Sequence, residues 1–131
     1  MNKLFLKIFV VIGAAIFSIP SMADINADLA NICTIVKNND KSELRKKLNK
    51  VKKDYKVKLG DYYTGISCGG NSLIRHAMAN SAGDAGTYLI KKMRKADLQK
   101  PESDGKTLQQ WAEENGHIGT DAGAALLERI G

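Results

Sequence analysis

Residues 105–115 read GKTLQQWAEEN and residues 70–80 read GNSLIRHAMAN, and the fit of one upon the other decides the fold. Gly70, Ser72, Leu73, His76, Ala77 and Asn80 fall on Gly105, Thr107, Leu108, Trp111, Ala112 and Asn115, a period of 35 residues. Each copy has a glycine for a turn, a hydroxyl residue at a helix start and apolar residues at helical spacing. Self-similarity at such a period marks stacked helix pairs, each of which buries its face only against a neighbour.

The helical pattern extends in both directions. Thr107 and Gln110 form a capping box, and a last helix is predicted near Asp121–Ile130, burying Ala122, Ala125, Leu126 and Ile130. Segment 83–93 supplies the second helix of the middle pair through Ala85, Tyr88 and Leu89. Residues 99–105 form a polar connector. Upstream, Leu29, Ile32, Cys33 and Val36 make one stripe, with Leu29 and Cys33 in the Leu73 and Ala77 slots, 44 residues earlier. Asp40 and Glu43 read as a cap for a second helix carrying Leu44, Leu48, Val51 and Tyr55 on one face. The stretch LGDYYTGISCGGN (59–71) lacks helical spacing and reads as an extended loop with a short hairpin. The expectation is an all-α chain of stacked antiparallel helix pairs, in units near 27–58, 70–95 and 104–131.

The motif DGKTLQQWAEENGH (104–117) resembles the ankyrin repeat, and GNSLIRHAMANSAGDAGTYLI (70–90) is similar to it. In that resemblance Gly105 starts the turn, Thr107 caps the first helix, Ala112 is the small residue where paired helices touch, and Gly116-His117 turn between helices. Leu73, Ile74, Ala77, Leu89 and Ile90 hold the packing slots. Departures are a missing proline in both units, Gln109 in an apolar slot, Ser81 in place of the turn glycine and about two extra residues after Gly116. Generic antiparallel helices are the alternative. The segment ISCGGNSLIRHA (66–77) also looks like a group of small exported bacterial proteins of uncharacterised activity. The ankyrin resemblance implies recognition of partner proteins; fold alone does not establish it.

Residues 1–23 have the form of a secretory leader: basic Lys3 and Lys7, an apolar run over 8–19, Pro20, then Ser21-Met22-Ala23. A run of 12 is short for a spanning helix, which needs about 20 apolar residues. The expectation is a soluble periplasmic or secreted domain of 108 residues from Asp24 onward. Loss of Lys3 and Lys7, with no acid, lowers the formal charge from +6 to +4. In an oxidising compartment Cys33 and Cys68 are expected to form a disulfide, with two buried thiols as the alternative.

Catalytic candidates are thin. His76 and His117 lack metal-ligand spacing and suit packing and turn roles. Glu113 and Glu114 are adjacent on a helix and point about 100° apart, so they cannot flank one bond as a glycosidase pair does. The glycines of SCGGN lack the residues of a phosphate cradle. A hydrolase is the remote alternative, and no cofactor or metal is expected.

Charge placement carries more. Residues 37–58 hold ten basic residues against three acids, whereas 99–131 hold six acids against three bases. A lopsided field steers a charged partner to one end. The expected contact surface is Arg45, Lys46, Lys47, Lys50, Lys53 and Tyr55 with Tyr62 and Tyr63 of the 61–64 loop, docking an acidic envelope protein as an inhibitor or immunity-type protein does. Anionic lipid or polysaccharide is the alternative partner, and a solvated helix whose lysines only keep it soluble is the alternative to any contact. Nucleic acid is not expected, since export removes the chain from it.

Overall fold

Three residues in the left-handed region turn the chain within its helix pairs. Asn39, Ser81 and Gly116 have φ of 56°, 55° and 74°. In each turn the next amide reaches back five residues: Asp40 donates to the Ile35 carbonyl (3.1 Å), Ala82 to Ala77 (2.8 Å) and His117 to Ala112 (2.8 Å). This is the Schellman closure of a helix, which satisfies carbonyls that the helix end leaves unpaired. The Asn39 side chain also accepts from the Ala85 amide (2.9 Å), tying the first turn to the second pair.

The computed structural model describes residues 22–131; the apolar run expected to act as a leader lies outside the described residues. The first pair is α2 (Ile32–Lys37) and α3 (Lys41–Tyr55), preceded by α1 (Met22–Asp28). A short α4 (Leu59–Tyr62) and a 3-10 turn (Tyr63–Gly65) lead to the second pair, α5 (Leu73–Ala79) and α6 (Gly83–Lys92). Then come α7 (Lys95–Leu98) and the third pair, α8 (Leu108–Glu114) and α9 (Asp121–Ile130). The all-α class holds: no strand occurs among the described residues.

The second pair sits in the middle. Helix α6 packs against α5, α9 and α3, while α5 packs against α2 and α8. At the central crossing a Cβ on Gly86 would stand 2.9 Å from the Ala122 Cβ and 3.2 Å from the Ala77 Cβ, so only small residues let the helices meet. Leu73, Ile74, Leu89, Ile90 and Leu126 are fully buried around it. The Cys33–Cys68 disulfide is present, with its Cα atoms 5.6 Å apart, and joins α2 to the turn that precedes α5.

Two expectations are corrected. The turn bonds match Ile35, rather than Cys33, to Ala77, so the first repeat spacing is 42 residues and not 44. Segment 59–71 is not extended: Leu59, Tyr62 and Tyr63 are buried by turning helically, and Asp61 Oδ2 accepts from the Lys58 amide (2.8 Å) to start that turn. The hairpin reduces to one bridge between Cys68 and Asn71 around Gly69 and Gly70. Among the described residues no helix is long and apolar enough to cross a membrane.

Candidate functional site

Helix α3 begins where Asp40 Oδ1 accepts from the Glu43 amide (3.1 Å). It buries Leu44, Leu48 and Val51, at 0%, 7% and 0% exposure, against the stack. That stripe turns the remaining positions outward. Arg45 and Lys52, seven apart, form one exposed row; Lys46 and Lys53 form a second beside it.

The eight expected contact residues divide by environment. Arg45, Lys46 and Lys53 are exposed and Lys47 is half-buried. Among the described residues Lys46 meets only Glu43, at 3.4 Å, in an exposed pair of little energetic weight. Lys50 is exposed but held by Asp28 (3.2 Å) and Asp54 (3.1 Å), and these carboxylates raise its pKa, Asp54 most. The Tyr55 hydroxyl donates to Asp28 Oδ2 (2.7 Å), which fastens α3 to α1 and, with Lys50, lowers the Asp28 pKa. Tyr62 and Tyr63 are not surface contacts. The two residues are 7% and 5% exposed, because the helical turn at α4 faces them inward. Burial pushes Tyr62 up to about 12 and Tyr63 higher still. Lys52 is an exposed residue that belongs with this surface and was not singled out from the sequence; its spacing of seven from Arg45 is the signal for it.

A second cluster was not anticipated. Arg75, on α5, is 6% exposed. Its Nη1 and Nη2 donate to the two oxygens of Asp104 (2.7 and 2.9 Å), and Nη2 also donates to the Lys106 carbonyl (3.1 Å). Nε lies 2.6 Å from Glu102 Oε1, an ion-pair contact although its N–H points off the hydrogen-bond line. The guanidinium also stands 5.3 Å from the Trp111 ring centroid, within cation–π range. Glu102 further accepts from the Ser72 hydroxyl (2.9 Å) and the Tyr63 hydroxyl (3.0 Å). Ser72 therefore does not cap α5, unlike Thr107, whose hydroxyl accepts from the Gln110 amide (3.1 Å) on α8. The bidentate Arg75 contact, with the Lys106 amide, drops the Asp104 carboxyl well below the usual range. This cluster clamps the 102–106 connector onto α5 and forms one wall of a cleft of about 390 Å³.

The histidines have structural contacts. His76 Nε2 lies 3.0 Å from the Cys33 carbonyl, a contact it fills as donor, and Asn80 donates to the His76 carbonyl (2.8 Å). The His117 ring stacks on Trp111 at 5.3 Å, instead of bonding to nearby backbone. Glu113 receives Gln109 (2.9 Å), and Glu114 pairs with Lys106 (2.6 Å), so the two carboxylates face different partners. Among the described residues no group of three His, Cys, Asp or Glu side chains is placed to hold a metal ion.

The family model described as "Protein of unknown function (DUF3718)" matches residues 32–100, from the start of α2 to the connector, both cysteines included. The chain belongs to that family. No curated protein and no solved structure matches it.

Proposed function

We propose that this member of the DUF3718 family is an exported, non-enzymatic binding protein that docks an acidic envelope protein through the outer face of α3. The observation that carries the reading is the outward cluster of Arg45, Lys52 and Lys53, exposed and without an ion-pair partner among the described residues. Several cations between residues 75 and 106 are held by carboxylates: Arg75 by Asp104, Arg94 and Lys100 by Asp97, Lys106 by Glu114. A face of unengaged cations gives an acidic surface complementary charge, which raises association rate and selectivity more than raw affinity.

The leader-like segment and the disulfide support export, because such bridges persist in oxidising compartments. The resemblance to ankyrin units supports recognition of a protein, and the stapled first pair presents α3 without ordering cost on binding. Insertion into a bilayer is disfavoured, since the apolar side of α3 is already buried in the stack. An inhibitor or immunity-type protein fits this combination of small size, export and rigid charged face.

The test uses an acidic envelope protein captured on the purified chain, then titrated in isolation. Arg45→Glu, Lys52→Glu and Lys53→Glu together are expected to weaken binding roughly tenfold or more and to flatten its salt dependence. Unchanged affinity of the triple variant, with an unchanged thermal midpoint, refutes the assignment. Salt-sensitive binding to anionic vesicles of equal strength would favour a lipid surface instead.

A further inference from the structure

We propose that the cleft between loop 60–72 and connector 93–103 is a binding site for a small, uncharged, hydroxyl-rich ligand, with a saccharide ring as the chemistry it fits. At about 390 Å³ the cleft lies within the range of small-molecule sites, roughly 300–1,000 Å³. Its selectivity follows from which of its polar groups are already engaged.

The charged residues of the lining cancel, Arg75 and Lys100 against Asp97 and Glu102. Each has its counter-ion in place. Arg75 lies between Glu102 and Asp104, and Asp97 takes Lys100 (3.1 Å) and Arg94 (3.0 Å). An anionic ligand would have to displace a carboxylate from a guanidinium that is 6% exposed, and a cationic one would have to displace Lys100 or Arg75. Breaking the buried Arg75–Glu102 pair without replacing both bonds is strongly unfavourable, and a cation that took the place of the exposed Lys100 on Asp97 would gain only what a surface pair is worth.

The unengaged polar groups are neutral. Thr64, Ser67, Asn71 and Ser103 line the cleft, and their side chains have no hydrogen-bond partner among the described residues. Hydroxyls and amides both donate and accept, which matches the dual character of sugar hydroxyls. Ile66, Met93 and Pro101 supply apolar lining against which the C–H face of a ring can lie. A wholly apolar ligand would desolvate those four groups without partners. The wall is preorganised, because the Tyr63 and Ser72 hydroxyls are fixed on Glu102. The site shares no residue with the lysine face of α3 and stands or falls without it.

The experiment maps amide chemical shifts of the purified protein during titration with glucose, N-acetylglucosamine and N,N′-diacetylchitobiose. Saturable, salt-independent shifts at Thr64, Asn71 and Ser103 are expected. Asn71→Ala, which keeps the backbone bridge to Cys68, is expected to weaken binding about fivefold, the worth of one hydrogen bond. Ser103→Trp, at an exposed rim position, is expected to fill the cleft and abolish binding even if Asn71→Ala fails to fold. Binding of the disaccharide alone identifies a polymer as the source, whereas equal binding of the monosaccharides identifies free sugar. No shift at the cleft with any probe at tens of millimolar overturns the proposal. So does a cleft that responds instead to acetate or to a diamine and loses that response in salt.

Discussion

Replacing Arg75 with Met tests whether the connector clamp carries the stability that its geometry implies. The substitution keeps an unbranched side chain of similar reach and removes the charge. Two carboxylates lose their partner, and they lose it unequally. Asp104 is 42% exposed at its side chain and rehydrates, so its share resembles a surface pair, about 1 kcal/mol or less. Glu102 is 14% exposed and is left charged and largely buried, the situation in which removing one partner costs about 3–5 kcal/mol. The lost guanidinium–indole contact adds about 0.5 kcal/mol or more. Together the expected loss is about 4 kcal/mol, a large share of the roughly 5–15 kcal/mol that holds a small domain. Adding Glu102→Gln removes the stranded charge while leaving an acceptor for Tyr63 or Ser72, and the double variant is expected to recover about 2 kcal/mol. Urea unfolding followed by Trp111 fluorescence and by circular dichroism reads both. A single variant that loses less than about 1 kcal/mol, or a double variant no more stable than the single, refutes the argument.

Four further outcomes follow from the same structure. Cys33→Ala with Cys68→Ala opens a crosslink of sequence separation 35, worth about 4 kcal/mol by loop entropy, and denaturant midpoints with and without reductant should agree with it. Gly123→Ala sets a Cβ against the carbonyl oxygens of His117 and Ile118, backbone atoms that cannot rotate away, and is expected to cost about 3 kcal/mol or more in thermal unfolding. Gly65→Ala meets nothing within 4 Å and should stay within about 0.5 kcal/mol. The depressed Asp104 carboxyl gives stability that is present above the unfolded value of about 4 and is lost as pH falls toward the folded value. Asp104→Asn should therefore flatten the decline of the unfolding midpoint below about pH 4, and an unchanged slope contradicts the assignment.

The repeat was legible because its signals are local. A capping hydroxyl, an alanine at the pair contact and an asparagine at the helix end recur with one spacing, and Asn80 and Asn115 cap the His76 and Trp111 carbonyls at the same 2.8 Å. The first pair was misregistered by two residues because Cys33 and Ile35 both suit an apolar slot. Only the turn at Asn39, a left-handed position that asparagine tolerates, separates them. Helix α4 was hidden for another reason: its burial comes from two consecutive tyrosines, a pattern that favours neither helical nor alternating spacing. Placing those rings on the surface because lysines precede them confused nearness in sequence with nearness in space. The Arg75 cluster was hidden because its carboxylates come 27 and 29 residues later, in a connector that reads as mere polar linker.

The contrast between the two charge systems bears on what the lysines do. Lysines retained only for solubility are best interspersed with acids, since a one-sign face raises self-repulsion. Arg94, Lys100 and Lys106 follow that pattern, each matched to a carboxylate between 2.6 and 3.1 Å away. Helix α3 follows it at its inner edge, where Lys50 meets Asp28 and Asp54, and in the exposed Lys46–Glu43 pair. Arg45, Lys52 and Lys53 abandon the pattern within the same 15-residue helix. Neutralising carboxylates at Asn49 and at the equivalent outward positions would be sterically free, since Asn49 is itself exposed and would bring a Glu within one turn of Arg45, Lys46, Lys52 and Lys53. Asn49→Glu is therefore expected to leave the fold as stable or slightly more so while weakening the capture of an acidic partner. A variant that is stabilised and binds as before would return the lysine face to a role in solubility alone.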